Sequence, residues 1–471
     1  MKPYPRKVVL RYLDFGKPER FEPVVSYVLG LTEAEAEEQL KAIFAEFESR
    51  HFDLQSIFRA NYLKLTLYVH GEHTLAKRLL MGAYFTHEYS IEAAALFNPS
   101  IVPHPDQDDL KEGELRFILS LRATGEGHIS SIAFQTGVVN AAGEITLDPT
   151  ATKLTCGHQR ADVPFDKSFV MRQLEDGGVI SDLVRDSLPN RFSEREALEL
   201  LNRLQNEHDI ELQPDREQIA KVFDLNYDLA YSEASPLNSR VIFPQSRSES
   251  NGMEDARFVA FTDKGETVYL GTYTAYNGKK IRPQLVKTKD FQYFRIRPFY
   301  GKAATDKGMA LFPEKINGKY AMVGRQGGRC LSIMFSDDLY FWEDYQMLQE
   351  PVREWEILQM GNCGSPVKTP YGWLLLTHAV GPMRKYVLSF SLLDLHNPAI
   401  LLASLDHPLL SANEEEREGY VPNVLYTCGL ILHGENLIIP YAMSDSAVSF
   451  AVVELKAVIE ELQKGKINKT T

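Results

Sequence analysis

The sequence predicts an all-β fold, a five-bladed β-propeller that also carries an N-terminal helical arm, a helical insertion and a C-terminal helix. A short hydrophobic strand that ends in a polar or aromatic residue recurs five times, at residues 116–123, 268–276, 319–325, 372–378 and 436–441. A second strand follows each copy, at residues 129–134, 285–290, 331–337, 386–394 and 447–454. The last three intervals are about 50 to 65 residues long, the size of one propeller blade. A sandwich of meandering strands is the alternative.

The N-terminal arm is expected over residues 1–92. Thr32 and Glu35 have the spacing of a capping box, and Leu40, Ile43 and Phe47 follow on one helical face. Residues 54–81 are apolar enough for one or two further helices. We expect the arm to serve packing or the formation of a homo-oligomer.

The propeller is expected over residues 93–454, with a helical insertion at about 160–230. The first interval between repeats is about three times the others, and Ser193 with Glu196 forms a second capping box before a leucine stripe. Residues 455–471 read as a C-terminal helix followed by a basic tail.

Composition excludes several classes of partner. The net charge is −13, whereas nucleic acids and acidic membranes both require a basic surface. The first residues lack the apolar core of a secretory signal, and the four cysteines are scattered without metal-site or disulfide spacing. We expect a cytoplasmic protein without a metal or other cofactor, whose ligand is neutral or small.

The densest chemical cluster is the segment 251–258, NGMEDARF. Two adjacent acids and an arginine follow a glycine turn and lead into a strand. Because side chains alternate along a strand, we expect Glu254 and Asp255 to point to opposite sides of the sheet, with one of them facing a central channel. An ordinary turn with a Glu/Arg ion pair is the alternative.

Four motifs in this order resemble glycoside hydrolase family 130: NGMEDARF at 251–258, LFPEKINGKY at 311–320, GWLL at 372–375 and EREGYVPNV at 416–424. The resemblance covers roughly residues 95–450. It implies a five-bladed propeller that cleaves β-mannosides with inversion, either as a phosphorylase or as a hydrolase.

The resemblance also implies roles for individual residues. Asp255 matches the catalytic aspartate, a general acid that protonates the glycosidic oxygen through a mannose hydroxyl, and a carboxyl fits this task if its surroundings raise its pKa. The residues expected to bind substrate are Asn98, Arg122, Asn251, Glu254, Arg257, Tyr276 and Asp445.

The use of phosphate depends on basic side chains, because a phosphate dianion needs several of them at one place. Arg282 and Lys307 match basic positions of the phosphorylases. Two other positions depart from the phosphorylase pattern, since Gly324 stands where histidine is common and Ser131 where arginine is common. Each lost charged hydrogen bond costs about 1.5 to 3 kcal/mol. This favours hydrolysis, although His128 or His378 could restore a donor.

An inverting hydrolase needs a second carboxylate to activate water, roughly 6.5 to 9.5 Å from the acid. Glu416 is the first choice for this base, and Glu418 and Glu314 are the other candidates.

The sequence therefore predicts an inverting enzyme that hydrolyses terminal β-mannosides of short oligosaccharides. Phosphorolysis, with inorganic phosphate as the co-substrate and α-mannose 1-phosphate as the product, is the alternative. A non-catalytic carbohydrate-binding propeller is a second alternative, because a fold does not dictate an activity.

Overall fold

The computed structural model describes residues 1–65, 68–177 and 179–464, and most of its regular elements are β-strands. The basic tail expected at residues 465–471 lies outside the described residues. None of the helices within these ranges is both long enough and apolar enough to cross a membrane.

The N-terminal region contains four helices between two short paired strands. Its elements are β1 (Val8–Tyr12), α1 (Pro18–Gly30), α2 (Glu33–Phe47), α3 (Leu54–Leu63), α4 (Leu75–Tyr84) and β2 (Thr86–Ser90). Thr32 and Glu35 form the predicted capping box at the start of α2. The antiparallel pairing of β1 with β2 was not expected, and it brings the two ends of this region together.

Five antiparallel units follow along the chain, interrupted once. Unit 1 contains β3 (Ala95–Pro103), β4 (Leu115–Thr124), β5 (Ser130–Val139) and β6 (Ile145–Leu147). The interruption contains β7 (Thr155–Cys156), β8 (His158–Gln159), β9 (Phe165–Asp166), α5 (Lys167–Gly177), α6 (Asp182–Ser187), β10 (Arg191–Phe192), α7 (Glu194–His208), α8 (Gln213–Leu225), β11 (Tyr227–Ala230) and β12 (Arg240–Ile242).

The remaining four units lie closer together in the sequence. Unit 2 contains β13 (Gly252–Asp263), β14 (Glu266–Tyr276), β15 (Ile281–Thr288) and β16 (Tyr293–Pro298). Unit 3 contains β17 (Ala310–Leu311), β18 (Tyr320–Gly324), β19 (Leu331–Ser336) and β20 (Gln346–Gln349). Unit 4 contains β21 (Gln359–Asn362), β22 (Val367–Thr369), β23 (Gly372–Val380), β24 (Tyr386–Leu393), β25 (Leu401–Ser404) and β26 (Leu410–Ser411). Unit 5 contains β27 (Leu425–Tyr426), β28 (Ile431–His433), β29 (Asn436–Met443) and β30 (Ala447–Glu454), and α9 (Leu455–Lys464) follows it.

The five predicted strand pairs are confirmed as antiparallel hairpins. The pairs are β4 with β5, β14 with β15, β18 with β19, β23 with β24 and β29 with β30. In every unit the first strand of the hairpin also pairs with an earlier strand. The repeat in the sequence is therefore a repeat of structure.

Units 1 and 2 are joined into one twelve-stranded sheet, whereas units 3, 4 and 5 form separate sheets. The junction is a parallel contact between Gly252 and Ser130. A Cβ atom on Gly252 would lie only 2.6 Å from the backbone nitrogen of Ser130, so glycine permits this approach. Among the described residues no sheet closes on itself.

The apolar core consists of several clusters, and most of them lie between neighbouring units. Val102 and Phe134 of unit 1 pack with Phe258 of unit 2, and Leu119 of unit 1 packs with Ile438 of unit 5. Other clusters join units 2 and 3, units 3 and 4, and units 4 and 5. Each unit therefore buries both of its faces against its neighbours.

The insertion has a core of its own. Its buried apolar side chains run from Phe165 to Phe223 and belong to one cluster that contains no side chain of the five units. Ser193 and Glu196 form the predicted capping box of α7. The C-terminal helix α9 instead packs Val458, Ile459 and Leu462 into the cluster between units 4 and 5.

We predict that Gly252→Ala destabilises the protein by about 3 kcal/mol, because the new Cβ atom meets the backbone of Ser130 and the backbone has φ +128°. Gly265→Ala is the matched control, since Gly265 also has positive φ but has open space around it; it should cost only about 1 kcal/mol. Urea unfolding measures both variants. An equal loss in the free energy of unfolding for both variants would contradict a close backbone contact between units 1 and 2.

Candidate functional site

Two β-bulges bring Asn98 and Asp255 together. The ladder of β3 and β4 shifts register between Phe97 and Ser100, and that of β13 and β14 shifts between Glu254 and Arg257. Asn98 and Asp255 have φ values of 49° and 55°, in the left-handed region that asparagine and aspartate tolerate better than most residues. The Nδ2 atom of Asn98 donates to Oδ1 of Asp255 at 2.7 Å.

One guanidinium group binds both acids of the NGMEDARF segment. Arg122 donates from Nη1 to Oδ1 of Asp255 at 3.2 Å and from Nη2 to Oε1 of Glu254 at 2.9 Å, and its Nε donates to Oγ of Ser130. The expectation that the two carboxylates point to opposite sides of the sheet is wrong. The bulge removes the alternation of the strand, so both carboxylates reach the same cation.

Two further cations complete this cluster. Lys307 donates from Nζ to Oε2 of Glu254 at 2.7 Å. Arg257 is 2% exposed and holds the backbone, because its Nη1 donates to the carbonyl oxygen of Asp255 at 2.7 Å and its Nη2 donates to the hydroxyl of Tyr426 at 2.6 Å. The Asp255 loop is therefore held at both its side chain and its main chain.

The surroundings of Asp255 favour its ionised form. Burial alone would raise the pKa of Asp255, but Arg122, Arg257, the amide of Asn98 and Lys307 outweigh burial and lower the pKa to about 2. The free protein therefore does not meet the condition of a raised pKa, because Arg122 binds this carboxylate and Arg257 and Lys307 lie near it.

Asp445 has the opposite shift. Burial and the negative charge of Asp255 raise the pKa of the Asp445 carboxyl to about 6, although Arg122 and Arg384 oppose the shift. Asp445 follows β29 and interacts electrostatically with both Asp255 and Arg122. Asp255 therefore favours its ionised form and Asp445 its protonated form, a difference typical of two neighbouring carboxyls with different roles.

A second group of polar side chains lies in units 3 and 4. Atoms of Arg325, Asn362, Ser365 and His378 are buried and find no hydrogen-bond partner among the described residues: Nε of Arg325, both amide atoms of Asn362, Oγ of Ser365 and Nδ1 of His378. Since buried polar atoms are normally paired, this arrangement can bind a polar ligand.

Gly361 makes this second group possible. It pairs with His378 across the β21–β23 ladder, and a Cβ atom there would lie 2.5 Å from Cε1 of His378 and 3.2 Å from Cδ of Arg325. Burial lowers the pKa of His378 well below its usual value, and Arg325 and Arg257 lower it further, while Asp255 opposes them. His378 therefore favours its neutral form, and the negative charge of Asp255 is close enough to affect the pKa of His378.

The other predicted site residues have different neighbours. The backbone N–H of Asn251 donates to the carbonyl oxygen of Tyr276, and the Tyr276 hydroxyl donates to the carbonyl oxygen of Gly278, so both residues support the turn beside the cluster. Arg282 lines a cavity against the insertion whose lining does not include Lys307. The structure places the two candidate phosphate ligands in different surroundings, and their roles stay predictions.

Glu416 is bound to its own loop and to β29. Its Oε1 accepts from the hydroxyl of Tyr441 at 2.7 Å and its Oε2 accepts from the backbone N–H of Asn413 at 3.1 Å. Glu314, an alternative for the base, forms an ion pair with Lys368. The assignment of the base stays a prediction.

Four residues of the two clusters were not predicted as site residues, namely Arg325, Asn362, Ser365 and Tyr426. Tyr426 ends β27, and a tyrosine at a strand end is the only signal that its sequence carries. Asn362 and Ser365 lie in the motif GNCGSP at 361–366, where the polar residues between glycines could have indicated a site.

Sequence comparisons relate this geometry to a known family. The sequence model of glycoside hydrolase family 130, described as β-1,4-mannooligosaccharide phosphorylase, matches residues 212–464, more than half of the chain. The chain belongs to glycoside hydrolase family 130. This membership confirms the resemblance, and with it the expectation of a glycoside-cleaving enzyme.

Individual relatives of this family 130 member carry phosphorylase names. A 1,2-β-oligomannan phosphorylase from Thermoanaerobacter sp. (strain X514) is 33% identical over 225 residues, which cover 47% of this chain and 74% of that relative. A β-1,2-mannobiose phosphorylase from Listeria innocua is 29% identical over 231 residues, which cover 47% of this chain and 63% of that relative. A solved structure of β-1,2-mannobiose phosphorylase from Listeria innocua with β-1,2-mannobiose has a TM-score of 0.48 and 21% identity, and covers 80% of this chain and 93% of its own.

The names of these relatives do not support the expected preference for hydrolysis. A further relative, from Ruminococcus albus, is named β-1,4-mannooligosaccharide phosphorylase, so these names all describe phosphorylases. The alternative, phosphorolysis, fits the relatives better.

We predict that Asp445→Asn stabilises the folded protein above pH 7. A carboxyl whose folded pKa is raised from 3.8 to about 6 destabilises the fold progressively as the pH rises through this window, and an amide removes that penalty. The full shift corresponds to about 3 kcal/mol, and partial exposure of the side chain reduces the expected gain to about 1 to 2 kcal/mol.

Thermal unfolding from pH 4 to pH 8 measures this gain, with the exposed Asp186→Asn as the control. The melting temperature of Asp445→Asn should exceed that of the wild type at pH 8 and equal it at pH 4. A difference that is the same at every pH would refute the shifted pKa.

Proposed function

We propose that this family 130 member is a β-mannoside phosphorylase, which transfers a terminal β-mannosyl group from a short oligosaccharide to inorganic phosphate. The observation that carries the proposal is the group of unpartnered, buried polar atoms of Arg325, Asn362, Ser365 and His378, in the electrostatic field of Asp255. The phosphorylase names of the relatives support the same reaction.

The phosphate ligands differ from those that the sequence indicated. Gly324 removes one donor from β18, and His378 on β23 supplies a neutral donor next to Arg325. Arg325 provides the positive charge that a phosphate oxyanion requires, and Asn362 and Ser365 provide uncharged hydrogen bonds. Lys307 forms its ion pair with Glu254 and Arg282 lines a different cavity, so we propose neither of them as a direct ligand of this phosphate.

The reaction breaks the bond between the anomeric carbon and the glycosidic oxygen. A phosphate oxygen attacks the opposite face of that carbon, which inverts it and forms α-mannose 1-phosphate. The leaving oxygen receives its proton from Asp255 through a mannose hydroxyl. Since Asp255 favours its ionised form in the free protein, we propose that Asp445 holds the proton. The proton moves to Asp255 when a sugar hydroxyl replaces the hydrogen bond from Arg122 to Asp255, while Glu254 still holds Arg122.

The terminal mannose would bind in the cluster of unit 1, unit 2 and unit 5. Asn98 has a buried Oδ1 atom without a partner among the described residues, and it can accept from a sugar hydroxyl. Arg122 and Asp445 offer a donor and an acceptor on either side. Glu254 and Arg257 then hold Arg122 and the Asp255 backbone in place.

We also propose that the five units form a five-bladed propeller around this site. The clusters between units follow the order 1 with 2, 2 with 3, 3 with 4, 4 with 5 and 5 with 1, and a cyclic order of this kind is what a ring of blades requires. In this arrangement residues 93–454 form the catalytic domain, about 160–230 the insertion and 1–92 the arm.

We predict that cleavage of β-1,2- and β-1,4-linked mannobiose depends on inorganic phosphate. The assay follows α-mannose 1-phosphate by ³¹P NMR and free mannose by chromatography, with and without phosphate. Mannose release at an undiminished rate without phosphate would refute the proposal in favour of hydrolysis, and Asp255→Asn should abolish the reaction under both conditions.

We predict that Arg325→Gln and His378→Asn each reduce kcat/KM for phosphate by about 10- to 150-fold, since each removes a hydrogen bond worth about 1.5 to 3 kcal/mol to a charged ligand. The KM for mannobiose should change less than threefold. His407→Asn, at an exposed histidine, is the control. An equal loss for both substrates would indicate a structural role instead.

A further inference from the structure

A cavity of about 340 Å³ lies between the insertion and unit 2. Four cationic side chains line it: Lys221 from α8, Arg247 from the short helix Arg247–Glu249, Lys280 from the turn between β14 and β15, and Arg282 from β15. Leu174 of α5 and Val222 of α8 are buried and form an apolar part of the lining.

The four cations have no ion pair with the side chains that the structure describes. Leaving aside residues 175–178, whose side chains are not described, none of the four has a carboxylate oxygen within 4.0 Å, whereas ion pairs form at other places on the surface. Asp224 also lines the cavity, but its Oδ2 accepts from the backbone N–H of Arg247 at 3.0 Å. The chain as a whole carries a net charge of −13, so this concentration of positive charge runs against its composition.

Like charges that converge on one concave surface repel each other unless an anion binds between them. Both lysine and arginine bind phosphoryl groups, arginine through a planar fork and lysine as a point charge. The volume falls within the range of small-molecule sites and exceeds what a phosphate ion alone requires, and the apolar side chains offer a surface for the rest of a ligand.

We propose that this cavity is a second ligand site, which binds a sugar phosphate or a phosphate ester of similar size, with its phosphoryl group among Lys221, Arg247, Lys280 and Arg282. The insertion supplies one wall and unit 2 the other. The insertion thereby has a function besides packing its own core.

This site is separate from the candidate catalytic cluster. The cavity lining contains neither Asp255 nor Lys307 nor His378. The turn after β14 connects the two regions, since Asn277 lines the cavity and the preceding Tyr276 accepts from the N–H of Asn251. The inference therefore does not depend on whether the enzyme uses phosphate or water.

Hydrogen exchange followed by mass spectrometry tests the site on the full chain at low ionic strength. The probes are mannose 6-phosphate, α-mannose 1-phosphate, inorganic phosphate and mannose. We expect either sugar phosphate to slow hydrogen exchange in α8 and in residues 277–282 at least threefold. Mannose should have no effect, and inorganic phosphate should give the same protection only at about tenfold higher concentration.

The double variant Lys221→Gln/Arg247→Gln should need at least tenfold more ligand for the same protection and should keep its turnover of mannobiose. Lys279→Gln changes an exposed neighbour outside the lining and should behave as the wild type. Absence of protection by either sugar phosphate, protection by inorganic phosphate at the same concentration, or protection that survives in the double variant would each overturn the proposal. If the wild type did not cleave mannobiose, this result would contradict only the proposed catalytic function.

Discussion

The candidate site depends on the ion pairs of one guanidinium group. Arg122 binds Glu254 and Asp255 at once, and it can do so only because the bulge in β13 places both carboxylates on the same side. Breaking a buried pair by removing one partner costs about 3 to 5 kcal/mol, so this cation maintains both the local fold and the charge state of Asp255. Arg257 secures the same loop from the backbone side.

The charged residues of the site fall into two groups, for which we propose different roles. Asp255 has a lowered pKa and Asp445 a raised one, and two carboxyls with opposite shifts suit the proposed proton transfer to a glycosidic oxygen. Arg325 and His378 lie in units 3 and 4 with polar neighbours that lack partners, which suits an anion. In the proposed mechanism these two groups serve one reaction, whereas the cations of the insertion cavity have separate neighbours.

Much of the fold could be predicted from local sequence signals. The five hairpins follow from repeated hydrophobic strands, and the starts of α2 and α7 follow from capping boxes that involve only residues three apart. The meeting of Asn98, Arg122 and Asp255 rested on the family resemblance, because more than 130 residues separate Arg122 from Asp255. The bulges could not be predicted, since a bulge depends on the register of a partner strand. For the same reason the common orientation of Glu254 and Asp255, the pKa shift of Asp255 and the position of Arg282 against the insertion differed from expectation or were missed.

The most direct test of this account is the titration of the Asp255 carboxyl by ¹³C NMR in protein labelled at aspartate, with the resonance assigned through Asp255→Asn. The account predicts that the Asp255 carboxyl stays ionised in the free wild-type protein from pH 8 down to pH 4, and that Arg122→Gln raises its pKa. A wild-type midpoint above pH 5, or a midpoint that Arg122→Gln leaves unchanged, would contradict the central role of the Arg122 cluster.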